Sequence, residues 1–313
     1  MRKERITMNT RHARMILAII REGSFTAAAK ALSITQPTLS QTVRQIETQL
    51  GDAIFVRGKT PVTLTPAGAL YAEAARRMVQ TQTQLEEALS LLHGRATGTL
   101  RIGLMPHRSA ELLPQVLADF LAAYPEVHLQ VCERDISELE QLLLRGELDM
   151  ALITDDRQHP RLEYRQIASE EIVLLAGKRT QLANRLPSGS TVGLREAAAE
   201  RFVMPTQDAQ PVKYFHDLLL SCHVQPNIFM QCDNMTTAMR ACSSANLVML
   251  CPFIAFLCDS SSMQKLSHYH LGTDAYLPPF YMVHAKDAPL APYAETLYTM
   301  LSNRFRAMTA YRP

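Results

Sequence analysis

The 313-residue sequence has no apolar run long enough to span a bilayer; the longest stretches, such as Leu247 to Leu257, are interrupted or too short. A membrane partner is not expected. The first twenty residues carry Arg2, Lys3, Arg5, Arg11 and Arg14 without an unbroken apolar core and a small-residue cleavage site, so they do not read as a secretory leader. The six cysteines (Cys132, Cys222, Cys232, Cys242, Cys251, Cys258) form no C-x-x-C pair and keep no zinc-like spacing to histidine. No metal is expected, and most of these thiols are expected to be buried in a reducing compartment. Neither G-x-G-x-x-G nor a Walker motif is present, nor G-x-S-x-G, H-E-x-x-H, an internal repeat or a low-complexity tract. These absences speak against nucleotide-dependent, hydrolytic and fibrous classes: no cofactor and no enzymatic activity are expected, and the expected compartment is the cytoplasm.

What is present is an ordinary globular composition, 47% apolar and 20% charged, long enough for two or three domains. The charge is uneven. Residues 1–95 carry a net charge of +6 and the remainder −4. A basic head suits a polyanion, because each neutralised phosphate releases counterions; a solvated basic face is the alternative.

Short helical patterns open the chain. His12 to Arg21 places Met15, Ile16, Ile19 and Ile20 at helical spacing, and Thr26 to Leu32 is an alanine-rich second helix behind Ser24. Pro37 to Leu50 is a third, with Leu39, Val43, Ile46 and Leu50 on one face. Its other face holds Thr38, Gln41, Thr42, Arg44, Gln45 and Gln49, with Glu47 its only acid. Amides pair with adenine and arginine with guanine, so this face suits a major groove, although a plain solvent-facing helix has the same periodicity. Ile54 to Val56 and Val62 to Leu64 flank a Gly/Pro turn and predict a hairpin, with Arg57 and Lys59 near its tip. The pattern is a helix-turn-helix followed by a wing.

Thr65-Pro66 then opens a long helix in which Ala67, Tyr71, Ala74, Met78, Thr81, Leu85, Ala88 and Leu92 keep a seven-residue repeat. Such a stripe predicts a homodimer presenting two recognition helices to two half-sites. After a linker around Gly94 and Gly98, strands and helices alternate to the C-terminus, which predicts α/β layers in two subdomains with a cleft between them.

The run Gly23-Ser24-Phe25-Thr26-Ala27-Ala28-Ala29, Leu32, Thr35-Gln36-Pro37-Thr38-Leu39-Ser40, Ile46-Glu47, Leu50-Gly51, Ile54-Phe55-x-Arg57 and Leu64-Thr65-x-x-Gly68 resembles the signature of LysR-type transcriptional regulators. Gly103, Leu112-Leu113-Pro114, Tyr124-Pro125, Gly146-Glu147-Leu148-Asp149 and Leu250-Cys251-Pro252 extend the resemblance through the rest of the chain, while residues 1–7 lie outside it and Met8 is a candidate start. The resemblance implies an N-terminal all-α winged helix-turn-helix (8–66), a linker helix for dimerisation (67–95), and a C-terminal α/β effector domain (98–313) resembling a type 2 periplasmic binding protein. Its first subdomain would comprise about 98–168 and 273–313, its second about 169–272.

By the same resemblance, Gln36, Pro37, Thr38, Ser40, Gln41, Arg44 and Arg57 would meet double-stranded promoter DNA, with Thr35 and Gln41 departing from the residues common in the family. A small-molecule effector would touch Met105, Pro106, His107, Arg108, Ile136, Ser137, Thr154, Pro205, Thr206, Asp233 and Asn234. Helix N-termini beside His107 and Arg108 suggest a small carboxylate. Ala245-Asn246-Leu247 replaces a common Gly-x-Gly, with Asn246 suited to the left-handed backbone. RNA polymerase and further copies of the chain, assembled as a homotetramer, are the other implied partners. The alternative trigger is thiol oxidation, through Cys222 and Cys232 or Cys242 and Cys251, although no cysteine matches a sensor motif residue by residue.

Overall fold

A computed structural model of the chain describes residues 8–56, 58, 61–93, 96–154, 158–206, 210–272 and 277–310. Its contacts divide the chain into two compact units between Thr97 and Gly98.

The first unit begins with α1 (Thr10–Glu22), α2 (Phe25–Ala31) and α3 (Gln36–Leu50). Each starts on a side-chain cap: Asn9, Ser24 and Thr35 accept hydrogen bonds from His12 N, Ala27 N and Thr38 N. Gly23 and Gly51, both left-handed, end α1 and α3. Ile16, Ile19, Leu39, Val43 and Ile46 share one buried core with Ile54 and Tyr71. The expected hairpin is reduced to a single bridge between Phe55 and Leu64, supported by the hydrogen bond from Val56 N to Thr63 O.

Helix α4 (Pro66–Leu92) starts as expected, with Thr65 Oγ1 accepting from Gly68 N at 2.9 Å. Of its seven-residue stripe, Tyr71 is buried and Met78 packs partly on this unit's core, while Thr81, Leu85, Ala88 and Leu92 are exposed. Tyr71, Ala72 and Ala75 are buried in this unit's own core, where α4 packs on α1, whereas Leu85, Leu89 and Leu92 are exposed, Leu92 by 81%.

The second unit contains two five-stranded sheets. In the first, β1 (Gly98–Leu104), β2 (Val127–Glu133) and β3 (Met150–Thr154) are parallel, and β10 (Pro279–Ala285) runs antiparallel between β3 and β4 (Leu162–Ser169), giving the order β2-β1-β3-β10-β4. In the second, β6 (Arg201–Met204), β7 (Asn227–Gln231) and β8 (Val248–Pro252) are parallel. There β5 (Ile172–Gly177) runs antiparallel between β8 and β9 (Leu266–His270), so the order is β7-β6-β8-β5-β9. The two lobes repeat one plan: three parallel strands beside an antiparallel strand second from the opposite edge.

The chain leaves the first lobe after β4 and returns before β10, and the two crossing segments are joined by a hydrogen bond from Glu170 N to Pro278 O, 3.0 Å. The segment after β1 is divided into α5 (Pro106–Leu112), a 3₁₀ turn (Leu113–Gln115) and α6 (Leu117–Ala123), because Pro114 cannot donate within a continuous helix. The remaining helices are α7 (Ile136–Leu144), α8 (Gln181–Arg185), α9 (Gln210–Ser221), α10 (Met235–Ala245), α11 (Phe253–Cys258), α12 (Ser260–Lys265) and α13 (Pro292–Ala310). Asn246 is left-handed (φ 54°), as its position after α10 suggested, and its Oδ1 accepts from Arg179 N.

Candidate nucleic-acid interface and effector cavity

Helix α3 buries Leu39, Val43 and Ile46, and the opposite face is thereby turned outward. Gln36, Pro37, Thr38, Gln41 and Arg44 are exposed and Ser40 is partly buried. Local hydrogen bonds order the first turn: Thr35 Oγ1 and Thr38 Oγ1 lie 2.8 Å apart, and Gln36 Nε2 donates to Ser40 Oγ at 2.9 Å. Arg44 has no side-chain partner among the described residues, so its guanidinium is available. The helix's only acid is turned away from this face: Glu47 Oε1 accepts from Ile54 N at 2.8 Å and from Phe55 N. The scarcity of acids on the outer face thus has a structural cause, since Glu47 anchors the base of the wing. Arg57, expected at the wing tip, and Lys59 lie outside the described residues.

In the second unit a cavity of about 540 Å³ opens between the lobes. The first lobe contributes the β1–α5 and β2–α7 turns, with Met105, Pro106, His107, Arg134, Asp135, Ile136 and Ser137. The second contributes the end of β6, the α9 side chain Phe215 and the β7–α10 turn, with Pro205, Thr206, Asp233 and Met235. A narrower pocket of about 50 Å³, sharing Met105, His107, Ile136, Phe215 and Met235, adds Arg108, Thr154 and Glu170. Of the expected effector residues, Asn234 lines neither space. Its side chain instead caps α10 by accepting from Thr237 N at 2.9 Å, while its neighbours Asp233 and Met235 face the cavity. Phe215, Glu170 and Asp135 also take part, and no local motif announced them.

Arg108 corrects the expectation of an open, positively charged helix start. Only 1% exposed, it donates from Nη1 to Glu170 Oε1 at 2.7 Å, from Nη2 to Glu170 Oε2, and from Nη1 to Glu111 Oε2 at 3.2 Å, and it lies over the Phe280 ring. Burial opposes its charge, but the two carboxylates outweigh that and hold it protonated. Burial, partly offset by Arg108 and reinforced by Glu170, raises the Glu111 carboxyl to about 7. Burial and then Arg108 push the partly buried His107 down to about 3, so its ring is neutral at pH 7. Among the described residues, Arg108 Nε and Thr154 Oγ1 are buried without a hydrogen-bond partner. The cavity therefore has an internally neutralised ion cluster at its inner end, and the Arg108 guanidinium is engaged by Glu170 and Glu111.

Three of the thiols are held away from the reactive thiolate. Burial pushes Cys242 up to about 12, Cys251 well above the usual thiol range and the exposed Cys258 up to about 11. Among the described residues no group of histidine, cysteine or acidic side chains is arranged to hold a metal, and no helix is long and apolar enough to cross a membrane.

A helix-turn-helix with an amide-rich outer face, a long helix and a two-lobed α/β unit enclosing a cavity define a DNA-binding regulator with an effector-binding domain. The family model described as "Bacterial regulatory helix-turn-helix protein, lysR family" matches residues 10–69, and that described as "LysR substrate binding domain" matches residues 93–306. The chain belongs to the LysR family of transcriptional regulators.

Its relatives include the uncharacterized HTH-type transcriptional regulator YcgK of Bacillus subtilis (strain 168), 35% identical over 166 residues, 52% of this chain and 50% of that protein. YybE of the same organism, also described as an uncharacterized HTH-type transcriptional regulator, is 26% identical over 77% of this chain and 81% of its own length. The chain thus spans about half the length of YcgK and most of YybE. Among solved structures, a full-length OxyR variant of Pseudomonas aeruginosa aligns with a TM-score of 0.74 at 19% identity, covering 96% of this chain and 98% of that one. Full-length CbnR bound to its target DNA aligns with a TM-score of 0.62 at 19% identity, covering 95% and 99%. These likenesses bear on the fold.

Proposed function

We propose that this regulator binds promoter DNA through the outer face of α3 and that a small molecule held between the two effector lobes modulates that binding. The observation that carries the reading is the composition of the α3 face. Gln36, Pro37, Thr38, Ser40, Gln41 and Arg44 form the readout surface, with Arg57 on the phosphates, while Glu47 is withdrawn into the wing base.

On the effector side, Met105, His107, Ile136, Pro205 and Thr206 line the cavity, Arg108 and Thr154 shape its inner end, and Asn234 holds the α10 turn. The working division is a DNA-binding domain over 8–66, a linker helix over 67–95 and an effector domain over 98–313, split into lobes of about 98–168 with 273–313 and about 169–272. A ligand with unequal affinity for two lobe arrangements would shift their populations and re-space the DNA-binding domains, changing contact with RNA polymerase. The chain acts in the cytoplasm and catalyses no reaction.

Assembly follows from exposed apolar surface. Leu85, Leu89 and Leu92 pair two copies through α4. In the effector unit the edge strands β2 and β7 and their flanking helices expose Leu121 and Val131 in one lobe and Leu220, Ile228 and Phe229 in the other, two patches that a second pairing would cover to complete a homotetramer.

DNase I footprinting on DNA from immediately upstream of the protein's own coding region tests the reading. Protection of two half-sites separated by whole helical turns is expected. Uniform, sequence-independent protection on this and other promoters would contradict it.

A further inference from the structure

The cavity between the lobes has an electrostatic pattern that narrows the chemistry of its ligand. Its two arginines are already engaged. Arg108 is enclosed with Glu170 and Glu111, and Arg134, at the mouth, donates to the Glu133 carbonyl at 2.7 Å and lies 3.4 Å from Glu138. The His107 ring is neutral at pH 7. Among the described lining residues no enclosed cation is left for an anion, and Arg134, more than half exposed, is the one that keeps free donors.

Two acids at the cavity are in the opposite condition. Asp135, from the first lobe, accepts at Oδ1 from Ser137 Oγ (2.8 Å) and Glu138 N (2.9 Å). Asp233, from the second lobe, accepts from Thr206 N and Oγ1, both 2.7 Å. Both line the cavity, and neither is paired with a cation among the described residues. The helix terminus that would attract an anion is also supplied, because Asp135 is itself the N-cap of α7. The same lining holds the apolar side chains of Met105, Ile136, Phe215 and Met235.

We propose that the effector is a primary amine on an apolar body, its ammonium shared between Asp135 and Asp233 and its body against Ile136, Phe215 and Met235. An ammonium has three donors and no acceptor, which matches two carboxylates and excludes a second carboxylate in its place. Because the acids belong to different lobes, they repel one another when the cavity holds no cation and are drawn together by one. The ligand therefore binds the closed arrangement better than the open one, which is the differential affinity a switch requires. This inference rests on the effector-cavity reading above.

The test uses the full chain and matched probes: 2-phenylethylamine, hexylamine and butylamine, each beside the carboxylate and the alcohol of the same body. Binding is followed by thermal shift and calorimetry. At least one amine is expected to raise Tm and to bind at least about tenfold more tightly than its carboxylate. Asp135→Asn and Asp233→Asn are expected to abolish that preference while leaving Tm without probe nearly unchanged, since asparagine caps as well as aspartate and still accepts from Thr206.

A carboxylate or alcohol that binds as tightly as its amine would overturn the amine assignment and leave the effector cavity standing. An amine shift that persists in the Asp135→Asn, Asp233→Asn double variant would place binding away from these acids and overturn the amine assignment. No response to any amine in the panel would overturn the amine assignment, with footprinting still reporting independently on DNA recognition.

Discussion

Arg108 Nη1 lies 2.7 Å from Glu170 Oε1, which ties the first helix of the effector domain to the strand crossing between its lobes. Both side chains are 1% exposed. Replacing one partner of such a pair leaves the other charge buried and unmatched, at a cost of about 3–5 kcal/mol. Glu170→Ala is therefore expected to lower the melting temperature of the effector domain sharply, whereas an exposed control, Glu126→Ala, is not. Equal melting of the two variants in scanning calorimetry would contradict the buried pairing.

The same cluster sets a pH dependence with two opposing parts. Glu111 has its folded-state pKa raised from 4.5 to about 7, so the folded state holds a proton that the unfolded state has lost, and stability falls as pH rises across that window. His107 is lowered from 6.5 to about 3, so the unfolded state takes up the proton first, and stability rises with pH between those values. The two slopes nearly cancel between pH 4.5 and 6.5. Glu111→Gln should expose the rising slope and His107→Gln the falling one in melts from pH 4.5 to 7.5. Parallel profiles for the three proteins would contradict the assignment.

At the wing base, Gly68 packs so closely on Ile54 that a Cβ would run into the Ile54 backbone carbonyl. Alanine is ordinarily the better helix former by about 1 kcal/mol. Here Gly68→Ala should destabilise instead. Glu47→Ala, which strips the acceptor from Ile54 N and Phe55 N, should cost about 1–3 kcal/mol. Urea unfolding measures both, and a gain in stability from Gly68→Ala would count against this packing.

Two separate apolar surfaces imply two separable assembly steps. Phe229→Asp, on the β7 edge, should stop assembly at the dimer, and Leu89→Asp, on α4, should remove the pairing made through the linker helix. Light scattering after size exclusion reports the mass. A tetramer that survives Phe229→Asp would exclude the β7 edge as an interface.

Much of the fold was legible because its signals are local. The spacing of Leu39, Val43 and Ile46 marked α3, Thr65-Pro66 marked the start of α4, and Ser24 marked the start of α2. Strand β4 escaped notice because its polar alternation acquires an apolar partner only when β10 arrives from far along the chain. The heptad on α4 divides between two surroundings that periodicity does not distinguish, since Tyr71 and Met78 pack in the first unit's own core while Leu85 and Leu92 are exposed. Arg108 and His107 line the space between the lobes, while its charge state depends on Glu170, 62 residues beyond Arg108, and on two aspartates from different lobes. Pairings across such distances in sequence carry no local signature.

The central claim, sequence-specific DNA binding through α3, is tested most directly by fluorescence anisotropy of labelled DNA from upstream of the coding region, titrated at several salt concentrations beside a scrambled duplex. Binding to the native duplex should be tighter and should weaken steeply with salt. Arg44→Ala, which alters an exposed side chain outside the core, should lose about tenfold or more in affinity and most of the preference for the native sequence. Equal binding of both duplexes by the unaltered protein, unchanged by Arg44→Ala, would contradict the assignment of α3 as the recognition helix.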